Sequence, residues 1–178
     1  MNLFKHFLLF AALASLFTAH SFATVKTTGA STDEERRSFI SFYSYYVGGW
    51  DVESVSDGKT EKSEYLTIAD PSGCNVISSP LGASLWGYNP ETGYWTGNGF
   101  GIDGSRFESR ISRPSGKKIV KGTAFTISGT VWKADGTMVF VVQNFTCMGP
   151  DAYQVISTRV TSEGETLPVE KTIARRKK

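Results

Sequence analysis

Arg106 and Arg110 share a short run with Glu108, and a preceding run carries Gly97, Gly99 and Gly101. Guanidinium groups with glycine opposite leave room for an anion, and the planar fork of arginine matches a carboxylate. The alternate positions of the same two runs, Thr96, Asn98, Phe100, Phe107 and Ser109, mix rings with hydroxyls and an amide. That mixture suits a partly apolar ligand, because rings supply contact area and polar groups supply direction. Sidedness decides between the two chemistries. The first assignment puts the aromatic and small polar set inside and leaves the charges in water. The alternative turns Arg106 and Arg110 inward as an anion site for a ligand such as a fatty acid, against the cost of burying unpaired charge. Trp86 and Tyr88 join the expected lining. Together with Tyr94, Trp95 and Trp132 they suit either the stacking of a ligand or plain filling of a core.

Catalytic chemistry finds little to work with. The two histidines, His6 and His20, lie in a segment read below as removable. Without them there is no Ser-His-Asp set and no histidine to activate Cys74 or Cys147. Histidine-held zinc or haem is excluded on the same ground. No phosphate-binding loop occurs. Gly97-x-Gly99-x-Gly101 is not a dinucleotide fingerprint, because no helix follows it. No metal and no cofactor is therefore expected. The carboxylate pairs Glu61/Glu64 and Glu163/Glu165 fall at turns and strand ends, where solvated charge is the ordinary use.

The elements that would hold these residues follow from pattern. Residues 1–23 read as a signal peptide: Lys5, an apolar run from Phe7 to Phe17, then the small-x-small Ser21-Phe22-Ala23. Residues 24–31 read as a flexible leader, and 32–178 as one domain. Removal of Lys5 leaves 18 of the 19 basic residues against 17 acidic ones, a balance that gives no nucleic-acid surface. The last four residues, Arg175 to Lys178, are basic and read as a frayed end, with a membrane surface or RNA as the alternative contact. No later stretch is apolar enough to span a bilayer as a helix. The expected location is periplasmic or extracellular. In such a compartment Cys74 and Cys147 are expected to form a disulfide, with two buried free thiols as the alternative.

A helix is expected over about 32–47. Thr32 and Glu35 form a capping box, and Phe39, Phe42, Tyr43 and Tyr46 lie on one face. Beyond Gly48-Gly49 the period changes to two. Strands are expected near 49–56, 62–69, 74–79, 83–88, 94–102, 105–113, 118–128, 129–134, 137–146, 152–161 and 167–175. Asp57-Gly58, Asp103-Gly104 and Asp135-Gly136 are read as two-residue hairpin turns. At Asp103-Gly104 this pairs Phe100 with Phe107 and Asn98 with Ser109. The fold expected is all-β: an antiparallel up-and-down barrel of about 8–10 strands with one N-terminal helix, since closure removes exposed edges.

Val47-Gly48-Gly49-Trp50 after the helix, the segment from Trp86 to Trp95, the Asp-Gly turns and the final Gly164-Glu165 turn make the chain resemble the bacterial, exported, lipocalin-like (calycin-type) barrels of unknown function. The T-D-Y-type motif of true lipocalins is absent. The resemblance implies that Trp50 closes one end of the barrel and that a late arginine, Arg159 or Arg175, stacks on it. It supplies no reaction. The leading expectation is a non-catalytic carrier of a small apolar or amphipathic molecule. A filled, structural envelope module with a protein partner comes second, and a lumen-type isomerase or cyclase third.

Overall fold

The structure, a computed structural model, describes residues 33–112, 116 and 118–178. The expected signal segment, the leader and the capping residue Thr32 lie outside the described residues. The helix α1 (Asp33–Tyr43) begins with Asp33, Glu34 and Glu35 in its first turn, where carboxylates meet the positive end of the dipole. It tightens into a 3₁₀ turn, Ser44–Tyr46, and Val47 leaves it in extended backbone. Phe39, Phe42 and Tyr43 form its buried face.

Ten strands follow: β1 (Gly48–Ser56), β2 (Lys59–Ala69), β3 (Asn75–Ser79), β4 (Gly82–Asn89), β5 (Tyr94–Gly101), β6 (Arg106–Ile111), β7 (Ala124–Trp132), β8 (Met138–Gly149), β9 (Ala152–Thr161) and β10 (Thr166–Arg176). Each pairs antiparallel with its neighbour in sequence, and β1 closes on β10, with Trp50 opposite Arg176 and Ser56 opposite Glu170. This is the expected all-β up-and-down barrel, closed so that no strand edge is left unpaired. β10 bulges between Leu167 and Glu170. Pro168 sits in that bulge, where its missing N–H costs no ladder bond.

Two expectations about the strands need correction. The runs 118–128 and 129–134 are not separate strands; their ordered part is the single strand β7. Gly129, expected at the start of the second of these, lies within the ladder opposite Ser109, and a Cβ there would come within 2.3 Å of the Ser109 hydroxyl. It is a residue of close approach inside one continuous strand. The register of the β5–β6 hairpin also differs by one residue. Asp57-Gly58 does form a two-residue turn, both residues at positive φ (51° and 70°) between Ser56 and Lys59. Ile102-Asp103-Gly104, however, is a three-residue loop closed by Gly101 N–H to the Ser105 carbonyl, with Gly104 at φ 81°. Asp103 Oδ1 accepts from the Ser105 N–H and holds this wider turn. The extra residue pairs Gly99 with Phe107 and Gly97 with Ser109. A shift of one residue reverses which side chains of a strand face inward.

Helix α1 and the 3₁₀ turn plug one end of the barrel. The Phe39 ring centroid lies 4.8 Å from Tyr88, and the Tyr43 ring stacks 4.8 Å from Trp95. Phe42 meets Phe125 edge-on, and Asn75 Nδ2 donates to the Tyr43 carbonyl. Trp50 lies in this layer with no exposed surface. Its Nε1–H donates to the Tyr46 carbonyl at 2.8 Å, so the buried indole is both covered and hydrogen-bonded.

Candidate functional site

Between the helix plug and the far hairpin turns lies a lumen of about 390 Å³. Its deep end is aromatic, with Tyr43, Tyr46, Tyr65, Trp95 and Tyr153 in the wall. The middle is aliphatic, with Val52, Ile77, Ile111, Ile127 and Val155. Toward the turns the lining becomes polar: Ser54, Ser79, Gln143, Glu170 and Thr172.

The room inside comes from glycine. On β5 the inward positions are Trp95, Gly97 and Gly99, all buried. A Cβ on Gly97 would strike the Trp86 ring at 2.2 Å, and one on Gly99 the Phe107 ring at 2.3 Å. Both rings therefore lie across the bare backbone of β5 and do not cross the lumen. Their centroids are 6.2 Å apart. This is how a barrel with so many aromatics keeps a cavity.

At the polar end Arg159 and Glu170 face inward as a pair, 3.1 Å apart. Arg159 Nη2 also donates to the Ser56 hydroxyl and the Pro168 carbonyl, while its Nε is buried without a partner among the described residues. Glu170 Oε1 accepts from Thr172, which is hydrogen-bonded to Ser54 at 2.8 Å. Gln143 Nε2 donates to Ser157. The two charges compensate one another.

The deep end has no charge of its own. Tyr65 and Tyr153 share one hydrogen bond between their hydroxyls, 2.6 Å long. The Tyr43 hydroxyl is buried and has no partner among the described residues, and the same is true of the Thr67 hydroxyl on β2. Burial raises the pKa of Tyr43, Tyr46, Tyr65 and Tyr153 above the ordinary tyrosine value, as charge is costly to desolvate. For Tyr65 the nearby Tyr153 adds to the effect. All four stay neutral hydroxyls.

The structure brings together some of the residues expected from sequence and separates others. Trp86 and Phe107 line the lumen. Tyr88 faces inward against Phe39. Ser109 is on the inward face, its hydroxyl over Gly129. Thr96, Asn98 and Phe100 do not belong to the lining: they alternate with the buried Trp95, Gly97 and Gly99, and Phe100 is 71% exposed. The one-residue difference in the hairpin turned them outward. Arg106 and Arg110 also face out, against the alternative anion site. Their guanidinium groups lie over Trp132 (4.6 Å) and Tyr94 (5.4 Å) on the outer surface.

The arginine on Trp50 is Arg176, at 4.3 Å from the ring centroid, and neither Arg159 nor Arg175. Arg175 is its exposed neighbour on the other face. The basic end is not frayed at this point, because Arg176 is in β10 and Lys177 N–H bonds the Gly49 carbonyl and its ammonium pairs with Asp51 and Glu64.

Cys74 and Cys147 are free thiols, which corrects the expected disulfide. Cys74 precedes β3, with its sulfur over Gly87 of β4. Cys147 is on β8, five strands away round the barrel in either direction, and its thiol donates to the Gly149 carbonyl. Thiols on opposite walls cannot reach the separation a disulfide needs.

Glu61 and the Glu163/Glu165 pair are exposed, outside the lumen, and Glu64 pairs with Lys177. Sequence reasoning missed Tyr65, Tyr153, Gln143 and Glu170. The alternation Ser63-x-Tyr65-x-Thr67 and Tyr153-x-Val155-x-Ser157-x-Arg159 carried that signal, since each set lies on one face of its strand. Among the described residues no cluster of His, Cys, Asp and Glu could hold a metal ion, and no helix is long and apolar enough to cross a membrane.

No family model matches the chain, and no curated protein does. Among solved structures it is similar to a redesigned β-barrel, b11L5F_LGL, at 14% identity and a TM-score of 0.36, covering 78% of this chain and 96% of that one. It is also similar to a de novo designed fluorescence-activating β-barrel, at 16% identity and 0.34, covering 75% and 94%. A third is the redesigned barrel mFAP1 bound to DFHBI, at 14% and 0.36, covering 79% and 99%. What the chain is rests on its own topology: a closed antiparallel barrel of ten strands with a helix in one end.

Proposed function

We propose that this protein is a non-catalytic, lipocalin-like carrier, exported from the cell, that holds a small and partly apolar molecule in its lumen. The observation that supports binding is the cavity itself. Its volume of about 390 Å³ is within the range of small-molecule sites. Its wall grades from rings through aliphatic side chains to a compensated polar cluster, a pattern that suits a partly apolar guest entering from the turns, with its body against the rings and the aliphatic side chains. The catalytic alternative finds no support in the same wall. Its inward-facing ionisable groups are a neutralised Arg159–Glu170 pair and tyrosines held protonated, and Glu64, also at the wall, is exposed and paired with Lys177. Export is supported by the sequence pattern of residues 1–23 alone.

Native mass spectrometry of the protein purified from its own host tests this. The expected result is a non-covalent adduct of a few hundred daltons by order of magnitude, released on denaturation. A bare chain whose melting temperature no lipid or aromatic compound raises would contradict it.

One observation favours a second reading, an accessory module docked on another envelope protein. β3, β4 and β5 contain no charged residue. Their outer surface, continued by Ile68 at the end of β2, carries the exposed row Ile68–Val76–Leu85, and Phe100 beside Ala83. Exposed apolar patches of this kind mark interaction surfaces. A photo-crosslinker placed at Leu85 in the host tests it: a protein adduct there, absent from a probe at Thr158, favours docking, and equal labelling argues against it.

A further inference from the structure

Tyr43, Tyr46, Tyr65 and Tyr153 all line the deep end of the lumen. Among the described residues their four hydroxyls make one hydrogen bond, between Tyr65 and Tyr153. A phenol carries one proton to donate. Within the pair one hydroxyl therefore donates to the other, and the acceptor's own proton has no protein partner. The Tyr43 hydroxyl is likewise buried and alone. Buried polar groups are normally satisfied, and each one left open is costly.

The pair is rigidly mounted. Tyr65 stacks 6.3 Å from Trp50, and Tyr153 meets the same ring edge-on at 5.1 Å. Tyr46 lies against Tyr153 at 5.5 Å. Trp50 is itself fixed by its bond to the Tyr46 carbonyl. The hydroxyls are thus held in place before any ligand arrives, which favours recognition over adjustment.

Each hydroxyl also has lone pairs, but a buried proton without an acceptor is the rarer and costlier vacancy, so the group that these positions suit best is an acceptor. Among the described residues no cation lines this end. Arg176, the nearest, lies on Trp50 and is committed to the Val47 and Tyr45 carbonyls and to Asp151. A carboxylate buried there would have no counter-charge. A neutral carbonyl has the partial charge that neutral phenols can meet.

Resting on the reading of the lumen as a binding site, we propose that the Tyr65–Tyr153 pair is a carbonyl-binding site, and that the ligand is a flat, largely apolar molecule carrying a ketone or conjugated enone at its buried end. The hydroxyl proton not used within the pair is donated to the carbonyl oxygen. Trp86, Trp95 and Phe107 cover the apolar body.

The test compares 9-fluorenone with fluorene, which has the same tricyclic frame without the oxygen. Affinities come from titration and the carbonyl stretching band from infrared difference spectra. Fluorenone is expected to bind on the order of tenfold tighter, the worth of one good hydrogen bond in a dry site, with its carbonyl band moved to lower frequency than in an alkane. The double variant Tyr65→Phe/Tyr153→Phe is expected to bind the two compounds equally, with the band returned. Each single variant keeps one hydroxyl with a free proton and is expected to retain the shifted band, which covers the case of a double variant that does not fold. Equal binding of both compounds by the unaltered protein, with an unshifted band, overturns the carbonyl site and leaves the lumen reading standing. Binding of neither overturns both.

Discussion

The Arg176 guanidinium lies 4.3 Å above the Trp50 ring and donates to the Val47 carbonyl at 2.6 Å and the Tyr45 carbonyl at 2.8 Å. One side chain of the last strand therefore covers the first buried tryptophan and ties down the turn by which the helix enters the barrel. Closure of β10 on β1 and seating of the plug therefore depend on the same side chain. Removing Trp50, which has no exposed surface, is expected to cost about 3–5 kcal/mol, as large buried aromatics do. Denaturant unfolding of Trp50→Ala checks this. Arg176→Ala is expected to destabilise measurably, and Arg175→Ala to stay within about 0.5 kcal/mol, as exposed positions do.

That neighbouring pair shows what a sequence of this kind reveals and what it hides. The helix face and the tryptophan after Gly48-Gly49 were legible, because a period change from 3.6 to 2 marks the handover. The choice between Arg175 and Arg176 was not, because it depends on the register of β10 against β1, and the bulge at Leu167 and Glu170 displaces the count. The Asp-Gly turns were legible as turns, and their length was not. Asp57-Gly58 and Asp103-Gly104 have the same residues but close loops of different size, and that difference sent Thr96, Asn98 and Phe100 to the outer surface. Tyr65 and Tyr153 are 88 residues apart and meet through the closure of the barrel, which no local pattern encodes.

The sidedness of β5 makes a sharp contrast between adjacent residues. Gly99→Ala places a methyl group 2.3 Å from the Phe107 ring and is expected to destabilise by about 1–3 kcal/mol, the usual range for overpacking. Phe100→Ala removes a ring that is 71% exposed and is expected to change stability by less than about 0.5 kcal/mol. Paired thermal melts decide, and the reverse order would restore the sidedness expected from sequence.

Thiol titration separates the two states of the cysteines. The denatured, unreduced protein is expected to release two reactive thiols. In the folded protein Cys74 is expected to react first, because Cys147 is buried and its thiol is bonded to the Gly149 carbonyl. A count of zero in the denatured protein would contradict the placement of the two sulfurs on opposite walls.

Alkaline pH should act through the tyrosines. The buried Tyr43, Tyr46, Tyr65 and Tyr153 have folded pKa values raised above the ordinary 10.0 by desolvation. A raised folded pKa favours the native state below the unfolded value and loses that contribution as pH climbs past it. Stability is therefore expected to hold up to about pH 10 and to fall above it. Phenolate absorbance from these residues should appear together with loss of the far-ultraviolet β signal. Ionisation of all seven tyrosines of the chain in a fold that stays intact would contradict the burial of the deep end.

The central claim, that the lumen receives a guest, is tested most directly by filling it. Ser63 faces the cavity from β2 and is half-buried, so Ser63→Trp projects an indole into the open space. Fluorescence titration with 1-aminoanthracene, run on the unaltered protein and on this variant, reads the outcome. The account predicts saturable binding of one probe per unaltered chain and none by the folded variant. Equal binding by both, or no binding by either, would contradict it.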